Sequence, residues 1–249
     1  MEAASWQIVT QPPSLASDSL HVWRFPLNGE SAPDSRQFAC LKPDETARAS
    51  RFHFPIHSNR YVASRFALRT ILGSYLGVAP RDLAFEYTTF GKPYLAAPSN
   101  PLRLSFNVSH SQDLGVLAFS FHANLGIDVE AIKEDFGGEE VAESHFAPAE
   151  YQQLLSLPEV LRPQAFFNCW TRKEAYVKAL GAGLQIPLDS FEVSLLPGQP
   201  AEFRRGAAAS WRLLSFLPVR DFQGAVAYEG ATANAEFFDA AALLEVAAR

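Results

Sequence analysis

Residues 163–180, Pro163-Gln-Ala-Phe-Phe-Asn-Cys-Trp-Thr-Arg-Lys-Glu-Ala-Tyr-Val-Lys-Ala-Leu180, read as a helix, with Pro163 suited to its first turn and Gly181 to its end. Three strand candidates follow it: Phe191–Leu196, Trp211–Leu217 and Gly224–Tyr228. An earlier stretch has the same order. In residues 58–77 the apolar positions Val62, Phe66, Leu68, Ile71, Leu72, Tyr75 and Leu76 recur at three- and four-residue steps. Ser58 or Asn59 suits the start of that helix and Gly77 its end. Leu83–Thr88, Leu102–Val108 and Leu114–Phe121 then read as strands, with the turn Phe90-Gly-Lys-Pro93 between the first two. Helix then three strands, twice, predicts an α+β fold of two similar halves produced by duplication. The join is expected near 122–126, giving an N-terminal half over 1–122 and a C-terminal half over 123–249.

A chain of 249 residues with 48% hydrophobic and 19% charged residues builds its own core, which excludes a mainly disordered protein. No apolar run approaches the ~20 residues of a membrane helix. The first residues, Met1-Glu-Ala-Ala-Ser-Trp-Gln, lack a basic region followed by an apolar core, so no secretion signal is expected. Two cysteines, Cys40 and Cys169, are too few for a disulfide framework and read as reduced thiols of a cytoplasmic protein. The net charge of −6 argues against broad nucleic-acid binding. Charge is unevenly spread. Nine Lys/Arg face four Asp/Glu between Lys42 and Arg103, while one Lys faces nine Asp/Glu between Gly126 and Val160. That asymmetry suits a phosphorylated ligand with a metal, and equally two solvated faces of opposite sign.

Three constellations carry chemistry. In Gly126-Ile-Asp-Val-Glu130, strand alternation points Asp128 and Glu130 to one face, with Cα atoms ~6.6 Å apart, and turns Ile127 and Val129 to the core. Two carboxylates so placed suit a hard cation such as Mg²⁺; a wet strand face carries the same pattern. In Trp170-Thr-Arg-Lys-Glu-Ala-Tyr-Val-Lys178, Glu174 and Lys178 lie one helical turn apart. They make either a surface ion pair or a site for phosphate chemistry, the carboxylate binding metal or taking a proton and the lysine neutralising a phosphate oxygen. In Phe106-Asn-Val-Ser-His-Ser111, hydroxyls and an imidazole at a strand edge can donate to phosphate, but neighbours Ser109 and His110 face opposite sides and make no nucleophile–base pair.

Taken in order, Gly91-Lys-Pro93, Asn107-Val-Ser-His-Ser111, Gly126-Ile-Asp-Val-Glu130 and Trp170-x-x-Lys-Glu-Ala-x-x-Lys178 resemble the 4′-phosphopantetheinyl transferases, in the longer, surfactin-synthetase-activating type of two halves in one chain. The spacing agrees, with about 18 residues from His110 to Asp128 and about 44 from Glu130 to Glu174. The resemblance implies Mg²⁺-dependent transfer of the phosphopantetheine arm of coenzyme A to a serine of an apo acyl or peptidyl carrier protein, releasing adenosine 3′,5′-bisphosphate. It places coenzyme A between the halves, Mg²⁺ on Asp128, Glu130 and Glu174, and the base for the incoming serine on Glu174. It gives Lys178 the charge growing on phosphorus, and Lys92, Ser109 and His110 the nucleotide and its phosphates, with His110 among the catalytic candidates. It gives Arg60 the 3′-phosphate, and Arg48 and Arg51 further phosphate contacts. Arg60 is expected at a helix N-terminus, where backbone N–H groups add to the anion site. Arg65 and Arg69 are assigned no role, a solvated position being one reading of Arg69. His145 and Phe146 read as packing residues, and part of 133–160 as carrier-docking surface. A monomer is expected, with no nucleic acid and no membrane. The competing readings are another coenzyme A-dependent transferase and a catalytically silent carrier-binding module; the first needs no carboxylate triad, and the second should lack a metal ligand or Lys178.

Overall fold

Both long helices stop at glycines in the left-handed region, Gly77 at φ 64° and Gly181 at φ 65°, where an L side chain is strained. The structure is a computed structural model describing residues 4–27, 31–96, 100–122, 124–133 and 138–248. The expected join at 122–126 includes Ala123, which lies outside the described residues, as do Glu134 and Asp135 of the expected docking stretch. The chain begins with β1 (Trp6–Ile8), β2 (Ser19–Pro26), α1 (Ser35–Ala39), α2 (Pro43–Ala49) and α3 (Pro55–Leu76). It continues through β3 (Phe85–Tyr87), β4 (Pro93–Leu95), β5 (Ser105–Ser111), β6 (Leu114–Ser120) and β7 (Leu125–Ala131). Then come α4 (Gly138–His145), α5 (Pro148–Leu155), α6 (Arg162–Leu180), β8 (Glu192–Val193), β9 (Phe203–Arg205), β10 (Trp211–Phe216), β11 (Phe222–Glu229), β12 (Asn234–Asp239) and α7 (Ala241–Ala247). Among the described residues no helix is long and apolar enough to cross a membrane.

The first long helix starts earlier than its capping residues suggested. Pro55 opens α3, where its fixed φ fits and its missing N–H is no loss. The Ser58 hydroxyl instead donates to the Ala49 carbonyl (2.9 Å) and ties α2 to α3. Each helix is followed by five strands rather than three before the next α-helix begins. The Phe90–Pro93 turn joins β3 to the short β4, which a leading proline hid.

The largest sheet has the order β1-β12-β2-β6-β5 and a second the order β10-β11-β7, while β3-β4 and β8-β9 form two-stranded ribbons. The arrangement β2-β6-β5 with α3 is repeated as β7-β11-β10 with α6, every pairing antiparallel. The fold is α+β with two similar halves. Leu20, Val22, Val116, Ile127, Val129 and Val226 pack the sheets face to face. Trp23, Phe25 and Phe119 turn to α3. Ala225 and Ala227 turn to α6. The C-terminal strand returns to the first sheet, β12 lying parallel to β2 with Asp239 paired to Arg24 (2.8 Å).

The repeat extends to a buried ion pair. In α2 and α5 a proline opens the helix and a glutamate two residues on accepts from the N-cap amide, Glu45 from Lys42 (2.9 Å) and Glu150 from Ala147 (2.8 Å). Each glutamate then reaches the following long helix, Glu45 to Arg65 and Arg69, and Glu150 to Lys173 (2.7 Å). Arg69 and Lys173 stand eight residues before their glycine caps. Arg69 is therefore buried, not solvated, because Glu45 neutralises it inside the half. Burial raises Glu45, but Arg65, the Lys42 amide and Arg69 together hold its carboxyl below the usual range. Glu150→Ala would leave Lys173 buried with carbonyls alone. We expect a loss of about 3–5 kcal/mol in urea unfolding, with much of it recovered in Glu150→Leu/Lys173→Met. A loss under ~1 kcal/mol would remove the pair from the stability argument.

Candidate active site

Gly126 decides where α6 lies. A Cβ there would sit 2.1 Å from the Ala175 carbonyl oxygen and 2.3 Å from the Ala179 nitrogen, so helix backbone rests directly on β7. Gly126, Asp128 and Glu130 share the strand face toward α6, while Ile127 and Val129 are fully buried between the sheets, as alternation predicted. The close approach sets Asp128 beside Lys178: its Oδ1 accepts from Lys178 Nζ at 2.6 Å.

Strand β5 flanks β7 from the other half. Asn107 Oδ1 accepts from the Ile127 amide (2.9 Å), Ser109 Oγ donates to Asp128 Oδ1 (2.9 Å), and Ser111 Oγ donates to Glu130 Oε2 (2.8 Å). The strand-edge hydroxyls read as phosphate donors thus hold the carboxylates in place. Ser109 Oγ also accepts from Lys178 Nζ (2.9 Å).

The carboxylates feel one another. Burial raises Glu130, and Asp128 and Glu174 raise it further, while Ser111 and Lys178 oppose the shift. Burial also raises Glu174, with Asp128 adding to the effect against Lys178 and His145. Asp128 is 3% exposed, and its Oδ2 is buried without a hydrogen-bond partner among the described residues. An orphaned carboxylate oxygen among mutually repelling carboxylates is the donor chemistry of a hard cation. Among the described residues no three Asp, Glu, His or Cys side chains are grouped tightly enough to hold one as they stand; Lys178 bonds Asp128 and Ser111 bonds Glu130.

Two adjoining hollows between the halves meet at Lys178. One, about 290 Å³, is lined by Arg48, Tyr61, Arg65, Ser109 and His110; the other, about 320 Å³, by Phe90, Asn107, Glu174 and Gly183. Gly91, Pro93 and Val108 line both. A larger hollow of about 730 Å³ lies along β4 and the start of β5, and none of the described residues in its wall carries a carboxylate.

The remaining expected residues divide. The Arg48 guanidinium lies 5.3 Å over the Tyr61 ring at the first hollow, whereas Arg51 is exposed and lines neither hollow. Arg60 is in the second turn of α3, not at its N-terminus, because the helix begins at Pro55. The backbone N–H contribution expected there belongs to residues before it. Arg60 Nε is buried without a hydrogen-bond partner among the described residues. His110 is exposed at the rim, its pKa lowered by desolvation, then by Lys178, with a smaller contribution from Arg60. Lys92 Nζ donates to the Leu125 and Ala179 carbonyls (2.8 and 3.0 Å). Phe146 is buried and stacks on Phe166 at 5.2 Å, while His145 is exposed with its ring edge-on to Trp170. Sequence reading gave no roles to Lys173, Glu150 and Asn107. The proline-then-glutamate start of α5 was the available signal for Glu150.

A family model described as the 4′-phosphopantetheinyl transferase superfamily matches residues 124–227, and one described as 4′-phosphopantetheinyl transferase, N-terminal, matches 31–122. The 4′-phosphopantetheinyl transferase HetI of Nostoc sp. is 41% identical over 88% of this chain and 92% of its own length. The chain belongs to the 4′-phosphopantetheinyl transferase superfamily. The transferase psf-1 of Bacillus pumilus is 35% identical over 72% of this chain and 75% of its own. Sfp of Bacillus subtilis is 29% identical over 68% and 72%. The protein is therefore an enzyme of phosphopantetheinyl transfer to carrier proteins, with coenzyme A as its other substrate. Both transferase models fall on the repeated halves, but the carboxylates are in one copy only. Seven and three residues before the glycine caps, where α6 carries Glu174 and Lys178, α3 carries Thr70 and Ser74.

Proposed function

We propose that this transferase is Mg²⁺-dependent and releases adenosine 3′,5′-bisphosphate, with the N-terminal half (1–122) contacting the nucleotide and the C-terminal half (123–249) carrying the reaction. The observation that carries the reading is the meeting of Asp128, Glu130, Glu174 and Lys178 where α6 rests on β7. Asp128, Glu130 and Glu174 would hold the metal, which when bound neutralises charge on the pyrophosphate oxygens. Glu174 takes the proton of the carrier serine, directly or through a water. The serine oxygen bonds to the phosphorus that bears pantetheine, and the bond from that phosphorus to the bridging oxygen breaks. The electron pair leaves on the 5′-phosphate of adenosine 3′,5′-bisphosphate. Lys178 supports the negative charge spreading over that phosphorus. Arg48, Arg51, Arg60, Ser109 and His110 are assigned to the nucleotide and its phosphates. The Arg60 Nε, unpartnered among the described residues, and the position of Arg48, Ser109 and His110 at one hollow support this for all but Arg51. Free thiols at Cys40 and Cys169 support a cytoplasmic setting, and a cleft built from one chain supports a monomer.

The test is the intact mass of an apo carrier protein incubated with this chain, coenzyme A and Mg²⁺, with and without EDTA. A gain of one phosphopantetheine arm that EDTA abolishes is expected. No gain across several carrier types, with the chain folded, would favour a silent binding module. Arg60→Ala should raise the KM for coenzyme A about ten-fold or more and leave that for dephospho-coenzyme A within two-fold, since only the former has the 3′-phosphate. Equal losses would move Arg60 elsewhere.

A further inference from the structure

Lys92 sits in the turn between β3 and β4 and lines both the hollow of about 320 Å³ and the larger one, but its ammonium is taken up by two backbone carbonyls. The two carbonyls it bridges meet because of Gly126: Leu125 immediately precedes it, and Ala179 lies in the last turn of α6. Carbonyls in the last turn of a helix lack intrahelical partners, and the helix dipole favours a cation there. Burial lowers Lys92 to about 8, and even the neutral amine keeps two protons for two carbonyls. The same turn makes a second contact. A Cβ on Gly183 would meet Phe90 Cβ at 3.2 Å, and one on Gly181 would meet Lys92 Cδ at 3.4 Å. The first half therefore grips the C-terminal end of α6 at two points. Lys178 is the residue before Ala179, Asp128 lies three residues after Leu125, and Gly91 and Pro93 of the turn line both hollows.

We infer that Lys92 is a positioning residue rather than a phosphate contact. It ties the β3–β4 turn to α6 and β7 and so sets the width of the cleft in which Asp128, Glu174 and Lys178 work. The inference rests on the transferase reading above. A side chain acting through geometry changes the rate of transfer more than the binding of coenzyme A, because a misplacement of about 1 Å can cost ~100-fold in rate. A phosphate contact does the reverse.

The experiment compares wild type, Lys92→Met, Lys92→Arg and Phe90→Ala in steady-state carrier loading, with thermal melts and amide hydrogen exchange. Lys92→Met should lower kcat about ten-fold or more with the KM for coenzyme A within two-fold, and should speed exchange in 88–93 and 179–183. Lys92→Arg, which can still donate to both carbonyls, should recover kcat to within about three-fold of wild type. Phe90→Ala should lower kcat about two- to five-fold without moving KM. A Lys92→Met that raises KM about ten-fold and keeps kcat would overturn the inference in favour of a phosphate contact. So would unchanged kcat with unchanged exchange. If Lys92→Met does not fold, Phe90→Ala decides, and an unchanged kcat there sinks the inference. If wild type loads no carrier, the transferase reading has failed, and the exchange comparison alone decides whether Lys92 braces the halves.

Discussion

Glu174→Gln should lose carrier loading by about 100- to 10,000-fold while the protein melts as wild type does, the range expected when a positioned proton acceptor is removed. The fold should not notice. Glu174 is half-buried, has no hydrogen-bond partner among the described residues, and glutamine keeps its shape and helix propensity. What changes is chemistry: an amide neither takes the serine proton nor offers an anionic oxygen beside Asp128 and Glu130. Raising Mg²⁺ in the assay separates the two roles of Glu174. Recovery toward wild-type rates at high Mg²⁺ marks a ligand lost, and no recovery marks a base lost. A variant that transfers at the wild-type rate would take Glu174 out of the mechanism.

The second large effect is on stability. Gly126→Ala should destabilise the protein by about 3 kcal/mol or more, the upper end for overpacking. The reason is what the new methyl would meet. Both atoms within 2.3 Å are backbone, Ala175 O and Ala179 N, so no side chain can swing aside and α6 must lift as a body. Stability totals of 5–15 kcal/mol make that a large share. Gly77→Ala is the control: its added Cβ meets nothing within 4 Å among the described residues, and the φ of 64° resists it at about 1 kcal/mol. A urea midpoint shift at 126 no larger than that at 77 would show that helix and strand are not in backbone contact. Any Gly126→Ala that still folds should also transfer slowly, since lifting α6 moves Glu174 and Lys178 off Asp128.

Both predictions concern residues visible in the sequence, but for different reasons. Glu174 and Lys178 were legible because a helix places residues four apart on one face. Asp128 and Glu130 were legible because a strand places residues two apart on one face. Gly126 was legible only as a letter in a motif; its cost is set by a helix about fifty residues downstream. The helix ends at Gly77 and Gly181 were read correctly because a left-handed cap is a local requirement. The start of α3 was not, since Ser58 suits a cap by composition while Pro55 had already opened the helix. Strand β4 escaped for a similar reason, being three residues long and beginning with proline.

By itself, then, the sequence determined the class of fold, its twofold repeat and the family, because periodicity, caps and motif order are properties of neighbours along the chain. Only the tertiary structure decided what each polar group is bonded to. Ser109 and Ser111 hold carboxylates from 19 residues away, Arg69 is buried against Glu45 across 24, and Lys92 reaches Ala179 across 87. Those partnerships arise where sheets and helices pack, and a buried donor or acceptor must be satisfied by whatever the packing brings within reach.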